Sequence, residues 1–203
     1  MNLFVYLPWE DRAMVEPAFM FTDRIEKLKG TTYQETAVIR MEDLGHVEPG
    51  DALYIAGHGA AGDEKIYGTL GQSMDAVALA AQFTGKLNES HKRIKVWVCF
   101  SGDKMTKGKG LAYKFWQAMN PTFKQLSVYG YRFAVLDPLE RTQEHLEAAI
   151  PLPGFVSVTK TPQLLRSLPG NAQHWRTGIR PDGSIIPPKP LPRGKPPISG
   201  DSD

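Results

Sequence analysis

Two short apolar runs, each cut off by a residue able to do chemistry, constrain this chain more than any other feature. The first, Asp51-Ala-Leu-Tyr-Ile-Ala-Gly57, stops at His58-Gly59, and the second, Ile94-Lys-Val-Trp-Val98, stops at Cys99-Phe-Ser-Gly102. Between them, in the segment from Ser73 to Leu87, residues Ala76, Leu79, Ala80, Phe83 and Leu87 recur at helical spacing. The unit reads strand, helix, strand. A crossover of that length predicts that the two strands lie parallel in one sheet. His58 and Cys99 then both fall just past the carboxyl ends of strands, on the rim where open α/β sheets bind their ligands.

The residue types say what such a pair can do. A thiol is a good nucleophile only as thiolate, and a neighbouring imidazole supplies the base or the cation that generates it. Cys99 is the only cysteine of the chain. Gly57 and Gly59 bracket His58, and the lack of a side chain at Gly59 lets a substrate carbonyl come close to its N–H. Paired with the Cys99 N–H, that group is expected to form a two-donor oxyanion hole, often the largest catalytic term in acyl transfer.

A strand ending in His-Gly, a crossover helix and a strand ending in Cys-x-Ser-Gly resemble the caspase-type cysteine peptidases. That group includes caspases, legumains, gingipains and the self-cleaving protease domains of bacterial toxins. Ile55-Ala-Gly-His58-Gly and Val98-Cys99-Phe-Ser101-Gly102 carry the likeness, and Tyr129-Gly130-Tyr131 is similar to the toxin domains. Cys99, Ser101, Gly102 and Met105 also match a legumain-like Cys-x-Ser-Gly-x-x-Met pattern. The resemblance covers Asp51 to Arg132. It implies a three-layer α/β sandwich with a mostly parallel central sheet. It implies a cysteine endopeptidase that works through a Cys99–His58 dyad and an acyl-enzyme, without a cofactor, on a protein or peptide substrate, in a self-processing or bacterial-effector setting. The toxin domains also raise an anionic activator, an inositol phosphate, for the lysine- and arginine-rich end of the chain and the nearby Lys104, Lys107 and Lys109.

Asp103 follows the nucleophile closely, and a carboxylate there would favour Arg or Lys in the substrate, although a solvated loop aspartate is the commoner finding. Ser101 is a second substrate-side candidate, and with Gly102 it is expected to shape the turn after Cys99. His46, His91, His145 and His174 lack the short local spacing of a zinc site, so no metal is expected.

The remaining signals set the frame. The length of 203 residues suits one domain, 1–186, followed by a proline-rich tail over 187–203 that is expected to be disordered. A net charge of +2 does not argue for nucleic acid or a membrane surface as partner. With one cysteine there is no intrachain disulfide, and the amino terminus has no basic leader before its apolar run. A cytoplasmic protein is expected, or an exported effector without a recognisable signal peptide.

Along the chain, strands are predicted over Leu3–Leu7, Thr36–Arg40, Leu126–Tyr131 and Phe155–Thr159, and helices over Phe19–Lys29, Leu111–Met119 and Pro138–Ile150. The second of these helices has Leu111, Phe115, Ala118 and Met119 as its inward stripe. Ser73 is the expected N-cap of the crossover helix. A hairpin is predicted over Trp175–Ile186, turning at Pro181-Asp-Gly-Ser184. Gly59 to Gly71 reads as a glycine-punctuated loop able to close over substrate. The rival reading is a non-catalytic α/β binding module that holds an anionic ligand with its glycine-rich loops, Gly57–Gly62 and Gly102–Gly110.

Overall fold

The computed structural model describes residues 1–15, 18, 33–103, 105–132 and 176–190. The helices expected over Phe19–Lys29 and Pro138–Ile150, the strand expected over Phe155–Thr159, Lys104 and the tail beyond residue 190 lie outside the described residues. The strands are β1 (Leu3–Tyr6), β2 (Thr36–Ile39), β3 (Ala52–Ala56), β4 (Lys65–Tyr67), β5 (Ser73–Asp75), β6 (Arg93–Trp97), β7 (Ser127–Tyr131), β8 (Arg176–Ile179) and β9 (Ile185–Ile186). Among the described residues the helices that pack on the site-bearing strands are α1 (Ala76–Phe83) and α2 (Leu111–Met119); residues 12–15 are also helical, and Met41–His46 and Met105–Lys107 are short 3-10 turns.

Seven strands form one sheet in the order β2-β1-β3-β6-β7-β8-β9. The pairs from β2 to β7 are parallel, and β8 and β9 add an antiparallel edge. The fold is thus α/β with a mostly parallel central sheet. Strands buried on both faces lose the alternation of a one-sided sheet and become near-continuous apolar runs, which is how β1 and β3 read, and β6 apart from Arg93 and Lys95. Leu53, Ile55, Ile94, Val96 and Val98 pack on one face with Leu79, Phe83, Leu111 and Phe115 of the two helices. On the other face Leu3, Val5, Tyr54, Ala56 and Trp97 pack with Met14, Ala18 and Tyr33. Lys95 is buried on that second face, where its Nζ donates to the Tyr54 hydroxyl at 2.5 Å.

The crossover helix is shorter than its apolar periodicity suggests, and its cap is two residues further on. Ser73 is spent in β5, and Asp75 caps α1, its carboxylate accepting from the Ala78 N–H at 2.8 Å. A carboxylate at that position also suits the positive end of the helix dipole. In α2 the expected stripe of Leu111, Phe115 and Met119 is buried, Ala118 is only half-buried, and Ala112 and Trp116 complete the inward face. The carboxy-terminal hairpin forms as β8 and β9. Its turn closes with Arg180 N–H to Ser184 O at 2.9 Å and Gly183 N–H to Arg180 O at 3.0 Å.

Strand order fixes where an opening can lie. The connection from β1 runs outward to β2, whereas β3, β6 and β7 step the other way. The order therefore reverses between β1 and β3, and a doubly wound sheet opens a crevice at the carboxyl ends of the strands at such a switch point. Here the crevice is occupied. The β4–β5 hairpin sits over it, with Gly68 so close to Trp9 and Asp11 that a Cβ there would lie 3.2 Å from the Trp9 ring and 3.3 Å from Asp11 Oδ2.

Candidate functional site

His58 and Cys99 leave the sheet side by side. Ala56 of β3 is the register partner of Trp97 of β6, and each candidate residue lies two positions beyond its partner in that pair. The two turns touch through their backbones at the next residue. A Cβ on Gly59 would lie 2.3 Å from the Cys99 carbonyl oxygen and 2.5 Å from Val98 Cγ1, so only glycine fits there without displacement.

The His58 side of the site is braced by β4. His58 N–H donates to Tyr67 O at 2.9 Å and Tyr67 N–H donates to His58 O at 3.0 Å, a closed antiparallel bridge. The segment expected to be a loop from Gly59 to Gly71 therefore contains a strand that fixes the histidine backbone. Below it Ile66 is fully buried and faces Gly57. His58 is itself half-buried, with Nε2 shielded from solvent.

The Cys99 side is a tight turn. Phe100, next in the chain, has φ of 57° and is the only non-glycine residue with positive φ among the described residues. Such a conformation costs roughly 1–3 kcal/mol and persists where neighbours over-determine it. Ser101 supplies part of that constraint: it is 1 % exposed, its hydroxyl donates to Val96 O at 2.8 Å, and its oxygen accepts from the Tyr131 N–H at 3.1 Å. Gly102 completes it, donating to Tyr131 O at 2.8 Å with its Cα against Gly130, where an added Cβ would lie 2.5 Å from the Gly130 carbonyl carbon. Ser101 thus ties the nucleophile's turn to β6 and β7, and its hydroxyl is engaged on both sides by backbone. Cys99 is half-buried.

The loops beyond these turns form the two walls of an open cleft of about 640 Å³. Gly62, Asp63 and Glu64 come from the chain after His58; Phe100, Asp103, Lys107, Gly108, Lys109, Gly110 and Lys114 come from the chain after Cys99. His58 and Cys99 are not in the lining; the cleft begins one residue past Cys99. Two of its three carboxylates are taken up by the protein. Asp63 accepts from the Tyr67 hydroxyl and from the Glu64 N–H at 2.7 Å, and Glu64 accepts from the Gly110 N–H at 3.3 Å. The Asp63 carboxylate, accepting its hydrogen bond, is also what pushes the Tyr67 phenol up in pKa. Asp103 is half-buried in the same wall, its backbone N–H held by Phe100 O at 2.9 Å.

Residue patterns before the structure pointed to His58, Gly59, Cys99, Ser101 and Asp103, all of which sit at or beside these two turns. They did not point to Tyr67, Asp63, Glu64 or Lys114. A usable signal existed for Tyr67: two short polar–apolar alternations, Lys65-Ile-Tyr67 and Ser73-Met-Asp75, flank Gly68-Thr-Leu-Gly71, the pattern of a hairpin. Among the described residues there is no group of three or more His, Cys, Asp or Glu side chains placed to hold a metal ion, and no helix is long and apolar enough to cross a membrane. No protein-family model matches the chain, and neither does any curated protein sequence.

Proposed function

We propose that this chain is a caspase-like cysteine endopeptidase with a three-layer α/β plan, in which Cys99 is the nucleophile and His58 its acid–base partner. The contact between Gly59 and the Cys99 backbone carries the reading. It holds a histidine turn against a cysteine turn at one rim of a parallel sheet, with a cleft opening directly beyond. The strained Phe100 adds to it, since backbone strain bought at a turn is common where a side chain must be presented in one orientation.

In this mechanism Cys99 Sγ attacks the scissile carbonyl carbon, and the negative charge that develops on the carbonyl oxygen is met by the Gly59 and Cys99 backbone N–H groups. The C–N bond breaks as His58 gives its proton to the leaving amine. Water then attacks the thioester, His58 takes the proton from it, and the carboxylic acid leaves with the thiol restored. Asp103 takes part as a wall of the substrate cleft. Ser101 takes part as the brace of the Cys99 turn, with no direct contact to substrate assigned to it.

The test is a cleavage profile on a mixed peptide library, wild type against Cys99→Ala and His58→Ala, together with the rate at which iodoacetamide labels Cys99. All cuts are expected to vanish with Cys99→Ala, and labelling near neutral pH is expected to slow with His58→Ala. Cuts that survive in Cys99→Ala rule the proposal out.

A second reading, an anion-binding module, is favoured by one observation: Lys107, Lys109 and Lys114 line the same cleft as Gly108 and Gly110 at the start of α2. Against it stand Asp63, Glu64 and Asp103 in that cleft. It predicts slow Cys99 labelling, with inorganic phosphate protecting the thiol.

A further inference from the structure

Among the described residues two carboxylates are buried, Asp51 and Asp11, and the proposed mechanism uses neither; Asp51 accepts from the Asn2 N–H at 2.6 Å and the Glu48 N–H at 3.0 Å just ahead of β3, away from the site. Asp11 is 3 % exposed, just past the end of β1, and each of its oxygens accepts from a residue 58 positions away: Thr69 N–H donates to Oδ2 at 2.7 Å and the Thr69 hydroxyl donates to Oδ1, while the backbone N–H groups of Ala13 and Met14 also bond the carboxylate. Thr69 lies in the turn of the β4–β5 hairpin, two residues after Tyr67, whose backbone is bridged in both directions to His58.

We infer that Asp11 is a positioning residue for His58, acting through Thr69 and β4; the inference rests on the dyad reading above. Besides its bridge to His58, the packing of Met74 on the core and the run of β5 straight into α1, the hairpin is gripped at two levels. Near its base Ile66 is buried in the core against Gly57. At its tip apolar packing contributes little, since Leu70 is 82 % exposed, and the grip there comes from Asp11 together with the Trp9 ring over Gly68. A short two-stranded ribbon is marginal by itself. Held at one end only, it can pivot about Ile66 and carry the His58 backbone with it. Held at both ends, it fixes the direction from which the imidazole meets Cys99. The strand order gives the same account from the other side, because the hairpin fills the switch-point crevice between β1 and β3 and so leaves the neighbouring opening, between β3 and β6, for substrate.

Because Cys99 is the only cysteine, iodoacetamide labelling reports on one thiol, and its rate measured against pH reports how His58 supports the thiolate. Four variants of the full chain are compared with wild type: His58→Ala, Asp11→Asn, Thr69→Val and Leu126→Ala. Thr69→Val removes the hydroxyl and keeps the shape and the N–H, so it remains informative even if Asp11→Asn does not fold. Leu126→Ala opens a cavity beside β7 without touching the hairpin, and serves as a variant that is destabilised with its latch intact. The expected result is that the profile of Thr69→Val moves toward that of His58→Ala, with labelling near pH 6 slowed about threefold or more, as loss of one hydrogen bond allows. Asp11→Asn is expected to move further the same way, and Leu126→Ala to keep the wild-type profile despite a lower urea midpoint. If His58→Ala shifts the profile while Asp11→Asn and Thr69→Val leave it in place, the positioning role is wrong and the dyad stands. If Leu126→Ala shifts it as much as Thr69→Val, the effect is general loosening and the positioning role is again wrong. If His58→Ala itself changes nothing, the dyad reading and this inference fall together.

Discussion

A methyl group on Gly59 would stand 2.3 Å from the carbonyl oxygen of Cys99, closer than any carbon can rest against an oxygen. The neighbour is backbone, so it cannot step aside as a flexible side chain would. Gly59→Ala is therefore expected to push the two turns apart, costing about 1–3 kcal/mol of stability as overpacking does. It also moves an N–H assigned to the oxyanion, so cleavage is expected to fall by about 10²–10³. Urea unfolding and peptide turnover measured on the same preparation check both. A Gly59→Ala variant with wild-type turnover would show that this N–H does not face the reacting oxygen.

Ser101 invites the opposite dissection. Its hydroxyl joins Val96 O to the Tyr131 N–H inside the protein, so Ser101→Ala leaves two buried backbone groups short of a partner. The expected loss is about 1–3 kcal/mol. Asp103→Ala, two residues further on and half-exposed, is expected to change stability by no more than about 0.5 kcal/mol. Denaturation curves for the two variants separate a brace from a cleft wall. Equal losses would contradict the assignment.

The parts of the molecule that were legible in the sequence are those whose pattern is local. β3 and β6 announce themselves because a parallel strand covered on both faces is apolar nearly throughout, Lys95 being the buried exception in β6, and α2 because Leu111, Phe115 and Met119 repeat at the helical period. The β4–β5 hairpin is a weaker signal. Its strands have three residues each, of which only Ile66 is buried, so burial imprints almost no period on them. The cap of α1 was misplaced because Ser73 and Asp75 are both good caps, and nothing local says that Ser73 belongs to a strand. What binds the candidate site together is not local at all. The Gly102–Gly130 contact, the Ser101 bridge to Tyr131 and the Asp11–Thr69 latch each join residues far apart along the chain, and single-sequence patterns carry no record of such pairs.

His91 makes stability depend on pH. It is fully buried, with Nδ1 3.2 Å from Glu48 O and Nε2 2.9 Å from Arg93 O. Burial disfavours the imidazolium and outweighs the two carbonyls and Asp51, so the group titrates below its ordinary value. An unfolded chain takes up this proton near pH 6.5, the folded chain only at lower pH. Stability from this group is thus intact above about pH 6.5 and is lost as pH falls toward the folded value. The urea midpoint is expected to drop between pH 7.5 and pH 5.5, and the drop is expected to be smaller in His91→Gln. Parallel curves for the two proteins would assign the pH dependence elsewhere.

On the proposed reading Asp103 is the carboxylate expected to set which side chain the cleft prefers, because the other two there already serve the protein. Asp63 answers the Tyr67 hydroxyl and Glu64 the Gly110 N–H, whereas among the described residues no hydrogen bond engages the Asp103 carboxylate. Of the three lysines of the cleft, Lys114 is half-buried and the other two compete with Asp103 less than their number suggests. Lys107 and Lys109 are exposed, and long cationic side chains on a rim keep their ammonium groups in water. Under the proposed mechanism, a half-buried carboxylate beside the Cys99 turn is expected to favour Arg or Lys as the residue before the cut. Peptides differing only at that residue, Arg, Lys, Leu and Asp, are expected to be cleaved fastest with the two basic ones. Asp103→Asn is expected to lower kcat/KM for the Arg peptide by about tenfold or more, the scale of a charged contact that is partly desolvated, and to leave the Leu peptide within about twofold. An Asp103→Asn enzyme that slows on all four peptides equally would make Asp103 a support for the Cys99 turn, and preference would then have to be sought among Lys107, Lys109 and Lys114, with acidic substrates as the next to try.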